Sequence, residues 1–172
     1  FFFKQKTAYE IVDCDWSSDV CSSDLHGSIM ALTVTYIPYG QLSYVLPKLV
    51  HNLEKSELWT KGRASVDDIV KFLYTQYMQL WAVHDPEHQD VWGYVITEIK
   101  QYPKCKMLVI QYSAGDYGSL ELSGDVVFEE LEKFARAENC HGIEFFGRPG
   151  WRNHAKKHGC TAQTVVYEKY FV

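Results

Sequence analysis

Cysteine is scarce in this chain, and its placement excludes more than its number does. Of five cysteines, Cys14 and Cys21 sit in an atypical N-terminal stretch. Cys105, Cys140 and Cys160 remain, an odd set with no close pair. That argues against a disulfide framework and a Cys-rich zinc site, and it fits a reducing, cytoplasmic setting. No apolar run approaches the roughly eighteen residues of a membrane span, and no signal peptide follows Met30, so no membrane association is expected. A basic excess is also missing. The 17 Lys+Arg against 22 Asp+Glu give a net charge of −5, whereas nucleic-acid binding needs a basic face. Neither a Gly-x-Ser-x-Gly elbow nor a P-loop occurs, so hydrolase and nucleoside-triphosphatase readings lack their key motif. No internal repeat is visible.

The N-terminal stretch has its own explanation. Lys4–Glu10 back-translates as AAG CAG AAG ACG GCA TAC GAG, which resembles the start of a common short-read sequencing adapter. Phe1–Phe3 fits the poly-T before it. Asp15–Leu25 fits the adapter's other end in the same frame, with Ile11–Cys14 across the variable index. Residues 1–29 are therefore expected to be translated adapter and read-through, as in a metagenomic reading frame, with residues 30–172 forming one domain. A polar, disordered N-terminus would likewise carry no fold. Much of the acidic excess lies there, with Lys4 and Lys6 against Glu10, Asp13, Asp15, Asp19 and Asp24.

From Met30 the pattern becomes that of a folded domain. Leu32–Ile37 is β-branched and alternating, as in a strand. Leu42, Val45, Leu46, Leu49, Val50 and Leu53 mark one helical face, with a late start or kink expected at Pro47. Ser65 and Asp68 resemble a capping box before a helix whose apolar face is Val66, Ile69, Val70, Leu73 and Tyr77. Leu80–Val83 and Val91–Ile99 read as hairpin arms around Asp85–Asp90. Met107–Ile110 is a continuous apolar run, suited to a strand covered on both faces. Gly124–Asp125 is expected to open a helix with Val127, Leu131, Phe134 and Ala135 inward. Ile143–Phe146 reads as a strand, Trp151–Lys157 as a short helix closed by Gly159, and Thr164–Tyr167 as a last strand. The predicted class is α+β, a mixed β-sheet with helices on both faces, in the order β-α-α-β-β-β-α-β-α-β.

That order resembles the GNAT acyltransferase fold across nearly all of Met30–Val172. The stretch Phe128–Cys140 is similar to the family's long helix, Ile143–Arg148 to the strand after it, and Trp151–Gly159 with Val165–Lys169 to the final helix and strand. The pattern Gly147-Arg148-x-Gly150-Trp151…Gly159 is similar to small GNAT-like proteins of tailed bacteriophages. The resemblance implies transfer of an acyl group from acetyl-CoA or another acyl-CoA to an amine acceptor, a small molecule or a protein. It places the donor along Ile110, Gln111, Tyr112, Ser113, Ala114, Gly115 and Gly118, with the pyrophosphate on backbone N–H groups where the long helix begins. It also implies an alternative: a catalytically inactive GNAT-fold virion or host-interaction protein, with other virion proteins as partners, located in the bacterial cytoplasm or in the virion.

The sequence departs from the family at two places. The pyrophosphate signature Gln/Arg-x-x-Gly-x-Gly/Ala meets Gln111-Tyr112-Ser113-Ala114-Gly115-Asp116-Tyr117-Gly118, with altered spacing, an acidic Asp116 and a loop that looks long. The family's tyrosine acid, four residues before the closing glycine, corresponds to Ala155. His154 is a substitute candidate, one residue and about 100° away around the helix. If the cleft were closed, Tyr112, Tyr117 or Trp151 would be the side chains to fill it. Glu98 and Glu144 are candidate bases for the acceptor amine, although lone strand glutamates usually face solvent. His154 and His158, four apart on a helix, lack the intervening Glu of a metalloprotease and have lysines beside them. His84 and His88 flank a polar turn. No metal site is expected. Trp81, Trp92 and Tyr94 read as core packing or a contact surface.

Overall fold

The computed structural model describes residues 32–87, 90–116, 119–147, 151–163 and 166–171, with residues 59 and 119–122 described by main chain alone. The expected adapter and read-through, residues 1–29, lies outside them. Five strands form one sheet: β1 (Thr33–Ile37), β2 (Gln79–His84), β3 (Val91–Gln101), β4 (Lys106–Gly115) and β5 (Gly142–Phe145). They lie side by side in chain order. The first three contacts are antiparallel, and the β4–β5 contact is parallel. Helices α1 (Leu42–Thr60) and α2 (Val66–Tyr74) join β1 to β2, α3 (Ser119–Ala137) crosses from β4 to β5, and α4 (Arg152–Lys157) follows β5.

Strand alternation divides the core between the two faces. Leu42, Val45, Leu46, Leu49 and Leu53 of α1, with Ile69 and Leu73 of α2, pack on Leu80, Ala82, Tyr94 and Ile96. On the other face Val127, Leu131 and Ala135 of α3 pack on Val34, Trp81, Val83, Val95, Leu108 and Ile110. Val109 is buried as well, so the apolar run of β4 is covered on both faces. Trp81 and Tyr94 are buried and Trp92 packs against the α3-side cluster, so these rings are core rather than a contact surface. The Trp81 indole donates to Thr97 Oγ1 at 3.0 Å. The Tyr94 hydroxyl donates to Ser56 Oγ at 2.5 Å, and burial pushes that phenol up to about 12.

The helix ends follow local chemistry. Ser65 and Asp68 form the reciprocal capping box of α2. Asn139, in the left-handed region at φ 56°, closes α3, with Cys140 N–H donating to Ala135 O at 2.8 Å. Gly159 at φ 71° does the same for α4, where Cys160 N–H reaches Ala155 O at 2.9 Å. Both are Schellman closures.

Several expectations are corrected. α1 starts at Leu42 and runs through Pro47; a proline in the second turn removes a single helix bond. Val50, expected inside, is 45% exposed. α2 stops at Tyr74, and Gln76 at φ 58° turns the chain away, so Tyr77 leaves the helical face. α3 opens at Ser119 rather than at Gly124, because β4 stays paired with β3 through Gly115. No more than three residues therefore separate the end of β4 from the start of α3. Of the expected last strand, Thr164 and Val165 lie outside the described residues, and Val166 and Tyr167 lie outside the sheet. In the tail, Glu168 accepts from Lys61 at 2.9 Å and Arg63 at 2.5 Å. These donors hold its carboxyl down at about 2.

α4 is clipped to α3 by Asp125, which pairs with Lys157 and with His158 Nε2 at 2.9 Å. The His158 ring stacks on Phe128 at 4.6 Å. The Lys157 and His158 bonds lower the Asp125 carboxyl below its ordinary 3.8. A depressed carboxyl contributes stability that is complete above the unfolded value and is lost as pH falls through the folded one. Acidification below about pH 4 is therefore expected to raise amide exchange in α4 before the sheet. Asp125→Asn is expected to show that raised exchange already at neutral pH. Exchange in α4 that tracks the sheet at every pH would contradict the clip.

Candidate functional site

The site forms where β4 leaves β5. Their register runs from Met107↔Gly142 to Ile110↔Phe145 and stops, whereas β4 continues to Gly115 against β3. Among the described residues, Gln111–Gly115 therefore have a strand on one side alone, and the backbone groups facing the other side are free to bind an extended ligand. The pairing also shifts here. Ile96 is opposite Tyr112 and Thr97 opposite Ile110, which leaves Gln111 as the extra residue of a β-bulge.

One inserted residue reverses the alternation of everything after it. Before the bulge Leu108 and Ile110 face α3; after it Tyr112 and Ala114 pack on the α1/α2 cluster. Tyr112 thus belongs to that packing rather than filling the gap beside β4. Burial raises its phenol, with the Glu98 charge adding to the shift. Gly93 backs the far end of β4 so closely that a Cβ would lie 2.7 Å from Ala114 O and 2.9 Å from Gly115 Cα.

The expected donor positions Ile110–Gly115 are thus brought together along one strand end, while Gly118 lies outside the described residues. Asp116 bears less on an anion than its charge suggests, because its Oδ1 pairs with Lys55 Nζ of α1 at 3.4 Å. Its own N–H donates to Trp92 O at 2.9 Å. α3 begins three residues later, and a helix N-terminus carries free N–H groups and a positive dipole end. Trp151 packs on Phe145 and Phe128, with ring centroids 6.0 and 6.4 Å away; Tyr117 lies outside the described residues.

Glu98 and Glu144 fall on one row of the sheet, each opposite Val109, two strand spacings or about 10 Å apart. Contrary to the expectation of a solvent-facing strand glutamate, Glu98 is 9% exposed. Tyr77 O–H donates to its Oε1 at 2.7 Å and Gln111 Nε2 to its Oε2 at 2.6 Å. The second bond ties the carboxylate to the bulge. Glu144 is half-buried, accepts from the Tyr102 hydroxyl at 3.0 Å, and borders a cavity of about 590 Å³ with Tyr102, Pro103, Lys104, Cys105 and Met107. That cavity is at the Lys106 end of β4, whereas Glu98, on the same row, is the carboxylate bonded to the bulge residue Gln111.

His154 is half-buried rather than on the surface, and its Nδ1 is buried with no partner. Ala155 beside it offers no acid. His158 is engaged by Asp125, and His84 by Thr35 Oγ1 at 2.9 Å; His88 lies outside the described residues. Among the described residues no three His, Cys, Asp or Glu side chains are grouped to hold a metal. Sequence reasoning missed Tyr77, read as part of a helix face, and Lys55, whose tie to Asp116 spans distant positions and leaves no local signal.

No known protein family's sequence pattern matches this chain, and no curated protein matches it. Solved structures do. An aminoglycoside acetyltransferase from an uncultured soil metagenomic sample superposes with a TM-score of 0.63 at 13% identity, covering 83% of this chain and 100% of that one. Glucosamine-6-phosphate N-acetyltransferase from Arabidopsis thaliana gives 0.58 at 12%, covering 82% and 99%. A GNAT family acetyltransferase from Staphylococcus aureus gives 0.58 at 12%, covering 83% and 100%. The chain has the GNAT acetyltransferase fold.

Proposed function

We propose that this protein is an acyl-CoA-dependent N-acyltransferase, with Glu98 as the base that frees the acceptor amine. The observation that carries the reading is the coincidence of three features at one point: the free edge of β4, the bulge at Gln111, and a buried carboxylate bonded to that bulge. The residues suit acetyl-CoA or another acyl-CoA. Main-chain groups of Gln111–Gly115 match an amide-bearing pantetheine arm, the start of α3 matches a pyrophosphate, and Lys55 offsets Asp116. When bound, the donor supplies a thioester carbonyl as electrophile. An acceptor ammonium near Glu98 gives its proton to the carboxylate, which releases the nitrogen lone pair for attack. The N–C bond would form, the nitrogen would lose its second proton to solvent as the C–S bond breaks, and the thiolate would take a proton from solvent, since Ala155 supplies none.

A second reading is a non-catalytic GNAT-shaped virion or host-interaction protein of a bacteriophage, favoured by Ala155 at the acid position and by the altered spacing of the Gln111–Gly118 signature. Cytoplasmic residence in a bacterium accompanies the first reading, and virion partners the second. Release of free CoA thiol, followed with acetyl-CoA and a panel of small amines and lysine peptides, tests between them. Amine-dependent release supports the enzyme. Its absence across the panel, with donor binding intact, favours the second reading.

A further inference from the structure

Glu98 is a buried carboxylate whose two donors are both neutral. Among the described residues no Lys or Arg forms an ion pair with it, although six other such contacts are made by more exposed carboxylates. Lys100, two residues along the same face of β3, instead lays its ammonium over the Tyr102 ring, 5.1 Å from the centroid. Buried charges are ordinarily paired with an opposite charge; among the described residues Lys100 lies near enough for Glu98 to raise its pKa, but no cation is bonded to the carboxylate.

The two donors differ in how firmly they are held. Gln111 belongs to the bulge, inside the β3–β4 ladder. Tyr77 belongs to the link between α2 and β2 and is 54% exposed. Its backbone N–H is anchored to Phe72 O at 3.0 Å and its ring touches Phe72 at 5.6 Å, while the rest of the ring meets solvent. The Glu98 bond and charge raise its phenol above the ordinary value of 10. The Tyr77 bond is charge-assisted on its acceptor side alone, whereas an ammonium brings both the N–H donor and the positive charge that no bonded side chain supplies to Glu98. A primary ammonium can therefore take Oε1 from Tyr77, while Gln111 keeps Oε2 in place.

Building on the acyltransferase reading, we propose that Glu98 Oε1 is the recognition point for a primary ammonium of the acceptor, and that Tyr77 occupies this point and yields it when the acceptor binds. The acceptor class is an amine small or slender enough at its nitrogen to pass between Tyr77 and the sheet, entering from the α2–β2 side. Tyr112 and Lys100 are the other titratable groups beside Glu98 on this face.

The test is a titration of the full chain, labelled at tyrosine Cζ, with methylammonium at neutral pH and no acyl donor. Tyr77→Phe assigns the resonance. The expected result is that methylammonium moves the Tyr77 signal to its position in Glu98→Gln, that tetramethylammonium, which has no N–H, does not, and that methylammonium leaves the Glu98→Gln signal unchanged. An immobile Tyr77 signal at large excess, or equal movement with tetramethylammonium, overturns the proposal. Because no acyl donor is present, the result is independent of whether the protein turns acetyl-CoA over.

Discussion

Gly93→Ala is expected to lower the unfolding free energy by about 3 kcal/mol, the upper range for forcing an extra carbon into a packed site. The new Cβ would meet main chain rather than a movable side chain, at 2.7 Å from Ala114 O and 2.9 Å from Gly115 Cα. Relief requires the β3–β4 ladder to part at its far end, beyond the bulge. That end also carries the free edge assigned to the acyl donor, so donor affinity should fall with stability. Chemical denaturation checks the first effect and calorimetric titration with acetyl-CoA the second. A loss within the roughly 0.5 kcal/mol of an ordinary surface substitution would show that the close approach is not a constraint.

Glu98→Gln is expected to reduce kcat/KM about 10²–10⁴-fold, the range for removing a positioned base. Glutamine keeps the shape of the side chain, so the fold and acetyl-CoA affinity should be retained. Glu144→Gln should change the rate only severalfold, because Glu144 is bonded by Tyr102 and borders its cavity rather than being tied to the bulge. Steady-state rates with a fixed amine decide the matter. A Glu98→Gln rate close to that of the parent would remove Glu98 from the chemistry, and an equal loss in Glu144→Gln would mean that the row acts as a unit.

The parts of this fold that the sequence made legible are those set by short-range periodicity. The inward residues of α1 and α3, the capping box at Ser65 and the glycine closure at Gly159 follow from spacing and turn chemistry. The parts that were not legible depend on contacts between distant positions. Ser119–Gly124 has the composition of a loop but is helical, since β4 remains paired through Gly115 and sets the start of α3. The bulge at Gln111 has no composition signal; it exists only as a mismatch between two strands. It nevertheless reverses which way Tyr112 and Ala114 point. Glu98 looked like a solvent-facing strand residue because Tyr77, thought to be helical, is what covers it. The tail shows the reverse case, where β-branched residues suggested a strand but Val166 and Tyr167 lie outside the sheet and Glu168 pairs with Lys61 and Arg63.

The central claim is that the gap between β4 and β5 holds an acyl-CoA. Thermal unfolding of the chain with and without acetyl-CoA tests it without requiring an acceptor. At a concentration 100-fold above Kd, binding adds about 2.7 kcal/mol, which corresponds to a rise of roughly 5–10 °C for a domain of this size. The account predicts that rise, dose-dependent and lost in Gly93→Ala. An unchanged midpoint up to millimolar acetyl-CoA would contradict it.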